Sequence, residues 1–318
     1  MPRVSITRRL IDTVMDRAKK TYDIWVNSDD HLLSPEELID RSFDSDALLI
    51  CHSESLTKNI IDCFSDRLRI VANYSVGTDH CDLEALKDRG IVVTNTPDVL
   101  SDATAEIAML LLLGASRRAY EGDQMIRQGT WRNWTPVAMN GIQVTGKRLG
   151  IVGMGRVGQT VAKRARAFDM KIHYYNRKRL SDELECGAKY HPSLESLFQS
   201  VDMISLNCPS TPETEDLINP QSISWMRKGV ILVNTARGQL IDETALEQAL
   251  RDRHIAAAGL DVFKVEPGGN PKLAELQNVF LLPHVGSSTI ETRVAMGERA
   301  LSNLDAFFSG NEPKDRLV

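Results

Sequence analysis

The sequence predicts an α/β protein in which helices cover the faces of parallel β-sheets, divided into two domains. First, short β-rich runs alternate with helical patterns along most of the chain, as in repeated βα units. Second, one long helical stretch, residues 104–128, interrupts this alternation. Third, 318 residues exceed what a single hydrophobic core usually supports. We therefore expect two α/β domains.

The first series of β-rich runs lies in the first hundred residues, at 3–6, 22–26, 47–51, 69–73 and 91–93. Helical patterns at 34–41 and 57–65 separate some of these runs. Ser34 and Pro35, followed by Glu36 and Glu37, are typical of a helix start, with an N-cap, a proline in the first turn and acids beside it. The series therefore predicts a parallel sheet covered by helices.

The long stretch 104–128 is predicted to be one helix that links the domains or forms a subunit interface. Its centre, residues 105–115, is apolar enough to be buried nearly all round. A second series of strands follows, at 149–153, 171–175, 202–206, 230–234, 256–261 and 279–282. A final helix is predicted over 289–308, with Ala295, Leu301, Leu304 and Phe308 on one face. Domain boundaries are expected in loops near 98–102 and 286–289.

Composition excludes several classes of function. The formal net charge of -5 lacks the basic excess of a nucleic-acid-binding protein. The five cysteines form no CxxC pair, so neither a zinc site nor a disulfide framework is expected. The N-terminus does not resemble a signal peptide, and the longest apolar run, 107–114, is too short to cross a bilayer. We expect a soluble, cytoplasmic protein without membrane contact.

A glycine-rich motif predicts a dinucleotide site. Gly153, Gly155 and Gly158 form a GxGxxG pattern directly after the apolar run 149–152 and before the helical pattern 159–168. Such glycines permit a tight turn and a close approach of the backbone to a pyrophosphate, which the helix N-terminus then faces. Arg156 and Val157 complete the predicted phosphate loop. The alternative is a glycine-rich turn without a ligand.

The next strand ends where an NAD-binding fold usually places an acid against the ribose. This sequence has Asn176, Arg177, Lys178 and Arg179 there. A carboxylate would repel a 2′-phosphate, whereas a guanidinium pairs with it in fork geometry. The loop therefore favours NADP(H), with Asn176, Arg177 and Lys178 as ligands. A solvated basic loop that accepts NAD(H) is the alternative.

Several further segments resemble the D-isomer-specific 2-hydroxyacid dehydrogenases. They are residues 73–80, 104–106, 233–238, 259–263 with Glu266-Pro267, and 283–287. The resemblance implies two Rossmann-like domains with the active site in the cleft between them. Residues 1–101 and 289–318 would form the substrate-binding domain, and 102–288 the NAD(P)-binding domain. It also implies a homodimer, with contacts from 107–113 and from the loop at Trp131–Trp134.

Three residue types in these segments suit the reduction of a keto acid. Hydride transfer leaves negative charge on the carbonyl oxygen, and His284 can supply a proton because imidazole has a reference pKa of about 6.5. A carboxylate at Glu266 would favour the protonated imidazole. Arg237 would bind the substrate carboxylate and carbonyl oxygen. With this charge available, no metal is expected. Taken singly, each residue could be structural.

The resemblance assigns further roles. Val76 and Gly77 would offer backbone amides to the substrate carboxylate, although 76–77 could be only a turn, and Asp261 only a strand-end cap. The nicotinamide side would be lined by Thr104, Cys208, Pro209, Thr235, Ala236, Asp261 and Gly286. The remaining histidines are expected to be surface or packing residues: His31, His52, His80, His173, His191 and His254.

Within the family, Glu266 favours keto-acid reduction, since formate dehydrogenases have glutamine there. No regulatory domain of the kind found in many phosphoglycerate dehydrogenases is expected. Glyoxylate/hydroxypyruvate reductases are the nearest resemblance. Ala138 stands where mammalian-type members have tryptophan, so pocket width stays open. Alternatives are reductases of 2-ketogluconate, phenylpyruvate or hydroxyphenylpyruvate. A corepressor-like protein that binds a dinucleotide without turnover is an alternative of another class.

Overall fold

The computed structural model describes residues Met1–Val318, which divide into two compact units. The first comprises Met1–Leu100 and Ser287–Val318, and the second comprises Ser101–Gly286. The expected boundaries, 101/102 and 288/289, lie within two residues of these divisions. Each unit contains a parallel sheet flanked by helices, so the predicted fold class is confirmed.

The first unit has a five-stranded sheet in the order β2-β1-β3-β4-β5. Its strands are β1 Arg3–Ile6, β2 Asp23–Val26, β3 Ala47–Ile50, β4 Ile70–Asn73 and β5 Val92–Thr94. Its helices are α1 Asp12–Thr21, α2 Pro35–Asp44, α3 Lys58–Ile61, α4 Leu83–Asp88 and the C-terminal helix Ile290–Phe308. The central strand β3 is completely buried, as expected for a strand covered on both faces.

Two helices of this unit show how local sequence positions them. Helix α2 begins where it was predicted to begin. The Ser34 hydroxyl accepts a hydrogen bond from the amide of Glu37, and the Glu37 carboxylate accepts one from the amide of Ser34. Helix α1 was not among the predicted elements. It buries Val14 against the C-terminal helix, where a Cβ at Gly297 would lie 2.5 Å from the Val14 side chain.

The second unit has a seven-stranded parallel sheet in the order β12-β11-β10-β9-β6-β7-β8. Its strands are β6 Arg148–Val152, β7 Lys171–Tyr175, β8 Lys189–Tyr190, β9 Met203–Leu206, β10 Val230–Asn234, β11 Ile255–Leu260 and β12 Val279–Leu281. Its helices are α5 Ser101–Ser116, α6 Ala119–Arg127, α7 Arg156–Arg166, α8 Asp182–Glu185, α9 Leu194–Ser200, α10 Pro220–Trp225, α11 Glu243–Arg251 and α12 Pro271–Ala274. The strand order reverses between β6 and β9, and open α/β sheets bind ligands outside the carboxyl ends of strands at such a point.

The prediction of one helix over 104–128 was wrong. The chain forms α5 and α6, and it breaks at Arg118, which has a left-handed backbone with φ of 56°. The amide of Ile142 donates to the carbonyl of Ser116 at 2.7 Å, so a later segment satisfies a carbonyl at the end of α5. Burial changes at the same place: α5 has ten buried residues and α6 has none. The apolar core of the stretch therefore belongs to α5 alone.

No helix combines the length and the apolar character needed to cross a membrane. All five cysteines are free thiols.

Candidate active site

The glycine motif forms the turn between β6 and α7. Gly153 has φ of +90°, and a Cβ there would lie 2.6 Å from the amide nitrogen of Cys208. A Cβ at Gly158 would lie 2.3 Å from the carbonyl oxygen of Gly153. At Gly155, by contrast, a Cβ would meet no atom within 4 Å. Two glycines thus pack the turn against the protein while the third leaves the turn open, the arrangement that a pyrophosphate requires.

Asn176 follows β7 and contacts the same turn. Its Oδ1 accepts the amide of Met154 at 2.7 Å. The neutral side chain therefore fixes the glycine turn to the first residue of the basic loop. None of residues 176–179 is an aspartate or a glutamate. A negatively charged group of a ligand therefore meets no repulsion from these four side chains.

Arg179 anchors the other end of the basic loop. Its guanidinium donates to both carboxylate oxygens of Glu185, at 2.7 and 2.9 Å. The Tyr174 hydroxyl also donates to Glu185, and it accepts the amide of Leu180 at 3.0 Å. Hydrogen bonds from Arg179 and then Tyr174 lower the pKa of Glu185 to about 2. Arg177 and Lys178 are the cations of the loop between these two anchors.

Arg237 lies in the loop after β10, and a buried polar side chain holds this loop in place. Asn234 is completely buried, its Nδ2 donates to the carbonyl of Arg237 at 2.8 Å, and its Oδ1 accepts the amide of Ala236 at 3.0 Å. A Cβ at Gly238 would lie 1.9 Å from the carbonyl carbon of Phe263. The loop after β10 is therefore packed tightly against the segment after β11, which leads to Glu266.

Glu266 and His284 form a direct pair. Glu266 Oε2 lies 2.6 Å from His284 Nδ1, and Glu266 Oε1 accepts the amide of Phe263 at 2.7 Å. The amide of His284 donates to the carbonyl of Asp261 at 2.8 Å. The carboxylate is thus held by the main chain on one oxygen and by the imidazole on the other. The structure brings these two predicted catalytic residues together.

Asp261 orders the chain after His284. It is 1% exposed, and its two carboxylate oxygens accept the amides of Val285 and Gly286, each at 2.8 Å. Burial raises the pKa of this carboxyl, and the two amide hydrogen bonds act in the opposite direction. A Cβ at Gly286 would lie 3.1 Å from Asp261 Oδ2 and 3.5 Å from Thr104 Cγ2. Thr104, Asp261 and Gly286, all predicted to line the cofactor site, therefore lie together.

Cys208 and Thr235 follow the adjacent strands β9 and β10. Burial raises the pKa of the Cys208 thiol to about 11, which disfavours the reactive thiolate. The Thr235 hydroxyl and Asn207 Oδ1 are buried polar atoms without a protein partner. Asn207 was not predicted as a site residue. A polar residue immediately after a predicted strand, as in Asn207 after β9, is the signal that could have identified it.

In the first unit, the predicted substrate loop at Val76 and Gly77 follows β4. Its carbonyl groups accept hydrogen bonds from side chains that were not assigned a role: Asn73 Nδ2 donates to the Gly77 carbonyl at 2.9 Å, and Asn95 Nδ2 donates to the Val76 carbonyl at 3.0 Å. His80 Nε2 lies 3.1 Å from Asn73 Oδ1. His80, expected to be a surface or packing residue, is therefore linked to this loop.

Four of the other histidines make contacts outside these groups. His31 pairs with Glu37 at 3.1 Å, and His254 Nε2 lies 3.1 Å from the carbonyl of Met226. His191 is 2% exposed and lies 2.9 Å from His173.

The chain is similar to known proteins over nearly its whole length. Residues 109–286 match the family model described as "D-isomer specific 2-hydroxyacid dehydrogenase, NAD binding domain". A glycerate dehydrogenase from Hyphomicrobium methylovorum is 43% identical over 310 residues, covering 97% of this chain and 96% of that protein. A glyoxylate reductase from Thermococcus kodakarensis is 44% identical over 317 residues, covering 98% of this chain and 95% of that protein.

Solved structures have the same fold. A putative D-isomer specific 2-hydroxyacid dehydrogenase from a Polaromonas species has a TM-score of 0.95 and 41% identity, with complete coverage of both chains. An NADPH-dependent glyoxylate/hydroxypyruvate reductase from Sinorhizobium meliloti, in complex with NADP and malonate, has a TM-score of 0.87 and 33% identity, covering 100% of this chain and 97% of that chain.

Proposed function

The chain belongs to the D-isomer-specific 2-hydroxyacid dehydrogenases, and from this premise we propose that it uses NADPH to reduce glyoxylate or hydroxypyruvate to the D-2-hydroxy acid. The family makes it an NAD(P)-dependent oxidoreductase acting on small 2-hydroxy or 2-keto acids. The observation that carries the proposal is the pair of Glu266 and His284, with a carboxylate oxygen 2.6 Å from the imidazole. This pair is a proton source beside a predicted dinucleotide site.

His284 is the proposed proton donor. Reduced nicotinamide, when bound, supplies the hydride, and the carbonyl oxygen of the keto acid then requires a proton. Because His284 Nδ1 is bound to Glu266, the proton leaves from Nε2. The carboxylate stabilises the positive imidazolium before transfer, and its second oxygen is fixed by the amide of Phe263. Glu266 therefore orients the ring and places a negative charge beside the group that donates the proton.

Arg237 is the proposed cation for the substrate. Its guanidinium Nη1 donates to its neighbour's carbonyl, Ala236 O, at 2.8 Å, which restricts where the planar group can point. A guanidinium so held can bind the carboxylate and polarise the carbonyl oxygen as negative charge develops. We propose that the backbone amides of Val76 and Gly77 also bind the substrate carboxylate.

The residues present fit a dinucleotide. Gly153 and Gly158 have no room for a side chain, and Thr235 has a buried hydroxyl without a protein partner. The residues proposed to hold the cofactor are Gly153, Gly155, Arg156, Val157 and Gly158 at the pyrophosphate, Asn176, Arg177 and Lys178 at the adenosine ribose, and Thr104, Cys208, Pro209, Thr235, Ala236, Asp261 and Gly286 at the nicotinamide side.

The preference for NADPH rests on the basic loop. Arg177 and Lys178 stand between two anchored ends, and no acid replaces Asn176. A 2′-phosphate adds negative charge that these cations can bind, whereas NADH lacks it. The substrate proposal is supported by relatives named glyoxylate reductase and glycerate dehydrogenase, since glycerate is the product of hydroxypyruvate reduction.

We also propose a homodimer in a reducing compartment. Large apolar side chains remain exposed on α5 and on the loop after α6: Leu110 is 47%, Trp131 56%, Trp134 74% and Val137 80% exposed. Such a surface is typical of an interface. Sedimentation at micromolar concentration tests this, and a monomer would contradict it. The five free thiols are compatible with a reducing environment.

Initial rates of NADPH and NADH oxidation test the proposed function. The substrates are glyoxylate, hydroxypyruvate, pyruvate, 2-ketogluconate and phenylpyruvate. We expect the highest kcat/KM with NADPH and either glyoxylate or hydroxypyruvate. A higher value for 2-ketogluconate or phenylpyruvate would contradict the substrate, and a higher value with NADH would contradict the cofactor. Tight NADPH binding without turnover of any acid would favour a binding protein.

A further inference from the structure

The loop after β4 has three consecutive carbonyl groups that all accept hydrogen bonds. The Ser75 carbonyl accepts the amide of Thr96 at 3.0 Å, the Val76 carbonyl accepts Asn95 Nδ2 at 3.0 Å, and the Gly77 carbonyl accepts Asn73 Nδ2 at 2.9 Å. These donors come from the carboxyl end of β4 and from the segment that follows β5. The two strands are neighbours in the sheet, so the carbonyls face one end of the sheet.

Peptide geometry fixes where the corresponding N–H groups point. In a planar trans peptide the carbonyl of one residue and the amide N–H of the next are directed oppositely. The carbonyls of Ser75, Val76 and Gly77 share peptide planes with the amides of Val76, Gly77 and Thr78. Holding these carbonyls against the end of the sheet therefore turns three successive N–H groups away from it.

The two asparagines are rigid. Asn73 is completely buried, and its Oδ1 lies 3.1 Å from His80 Nε2. Asn95 is 9% exposed, and its own carbonyl accepts Nδ2 of the buried Asn303 from the C-terminal helix at 3.2 Å. Val76, in contrast, is 36% exposed. The donors are thus fixed in the interior while the loop that they orient lies at the surface.

We infer that Asn73 and Asn95 are positioning residues that turn the amides of Val76, Gly77 and Thr78 into one carboxylate-binding site. The inference rests on the proposed function, and it adds Thr78 as a third donor to the two amides proposed above. Three uncharged N–H donors suit an anion, because charge-assisted hydrogen bonds are stronger than neutral ones. The ligand is the carboxylate of the 2-keto acid, and the two asparagines do not touch it.

Asn73→Asp and Asn95→Asp test the inference. Each change keeps the shape of the side chain but replaces the donating NH₂ with an oxygen that repels the loop carbonyl. We expect the KM for glyoxylate and the Kd for oxamate, a non-reducible analogue, to rise roughly tenfold or more, as for hydrogen bonds to a charged group. The KM for NADPH should stay at the wild-type value, and Asn95→Gln, which retains an NH₂ donor, should restore part of the oxamate affinity.

Asn27→Asp is the matched control. Asn27 is 2% exposed, and its Nδ2 donates to the carbonyls of Thr7 and His31 at 3.0 and 2.6 Å, so it is a buried asparagine of the same unit that holds main-chain carbonyls elsewhere. This variant should bind oxamate like the wild type. A similar loss in all three aspartate variants would indicate general damage and overturn the assignment to Asn73 and Asn95.

A measurement on the wild-type protein covers the case in which a variant fails to fold. Oxamate added to the NADPH complex should shift the backbone amide resonances of Val76, Gly77 and Thr78 in a ¹H–¹⁵N spectrum. Failure of oxamate to bind, or binding without shifts at these amides, would overturn the inference. If no keto acid is turned over but these amides still shift, the proposed function fails while the carboxylate site stands.

Discussion

Two regions follow the ends of parallel strands: the loop of residues 75–78 in the first unit, and the pair of Glu266 and His284 in the second. They differ in which groups hold and which groups are held in place. In the loop, the buried side chains of Asn73 and Asn95 hold main-chain groups in place. In the second unit, the amide of Phe263 holds the reactive side chain of Glu266. Function in the first region should therefore depend on buried residues that never contact a ligand, and in the second on the reactive side chains themselves.

The contrast predicts the largest effect for His284→Gln. Glutamine can occupy similar space but cannot donate a proton as an acid, so kcat should fall roughly 10²- to 10⁴-fold. The Kd for NADPH, measured by fluorescence, should remain unchanged because the ring is not proposed to hold the cofactor. His254→Gln is the control, since His254 contacts a main-chain carbonyl in the same unit, 3.1 Å away. Near-normal turnover in His284→Gln would remove the imidazole from the mechanism.

Glu266→Gln should have a smaller effect on kcat. Glutamine can still accept the amide of Phe263, but it no longer offers a negative charge to the imidazole. We expect kcat to fall roughly tenfold to a hundredfold, because the ring loses both the partner that orients it and the negative charge beside the imidazolium.

Glu243→Gln is the matched control for this change. One oxygen of the Glu243 carboxylate accepts a hydrogen bond from the amide of Lys264 at 2.9 Å, as Glu266 does from the amide of Phe263, but its other oxygen accepts one from Asn270 Nδ2 and not from a histidine. The kcat should therefore fall only in Glu266→Gln. Equal losses of kcat in the two variants would show that Glu266 acts only as a loop support.

The same contrast explains what could be predicted from the sequence. Glu266 and His284 could be proposed from the sequence because they lie in segments that resemble the family and because their side-chain chemistry is visible as residue type. Asn73 and Asn95 were not assigned roles, since their effect passes through carbonyls whose direction depends on the fold. The break at Arg118 was missed for a related reason: the carbonyl of Ser116 is satisfied by Ile142, far along the chain. Hydrophobic periodicity detects strands and helices but not such tertiary partners.

Arg177→Ala should change cofactor preference with little effect on catalysis. The side chain is proposed to bind the 2′-phosphate, so the Kd for NADPH should rise roughly tenfold while that for NADH changes little. Arg227→Ala is the control, because Arg227 lies before β10, at the amino ends of the strands, where it is 3.7 Å from Asp202. Equal changes for both cofactors in Arg177→Ala would argue against recognition of the 2′-phosphate by Arg177.

The smallest predicted effect is on stability. In mild acid, the stability of the two units should change in opposite directions. In the second unit His173 Nδ1 lies 2.9 Å from His191 Nε2, and His191 Nδ1 lies 2.9 Å from the Ser196 hydroxyl. Burial, then the neighbouring His191, Lys189 and Arg148, lower the pKa of His173 to about 4, while Asp202 acts in the opposite direction. In the first unit the buried Glu54 accepts the amide of Cys51 at 2.7 Å, and burial raises its pKa.

The sign of each effect follows from which state binds protons first. Unfolded histidine protonates near pH 6.5, before folded His173, so stability at this site is lost as the pH falls from about 6.5 towards 4. Folded Glu54 protonates before the unfolded residue, so its burial becomes less costly as the pH falls. Hydrogen exchange at pH 7 and 5, corrected for intrinsic rates, should show protection falling roughly threefold to tenfold in β7 and β8 but not in β3. In His173→Asn this difference should shrink, whereas equal losses in both units would show that the histidine pair does not govern the acid response.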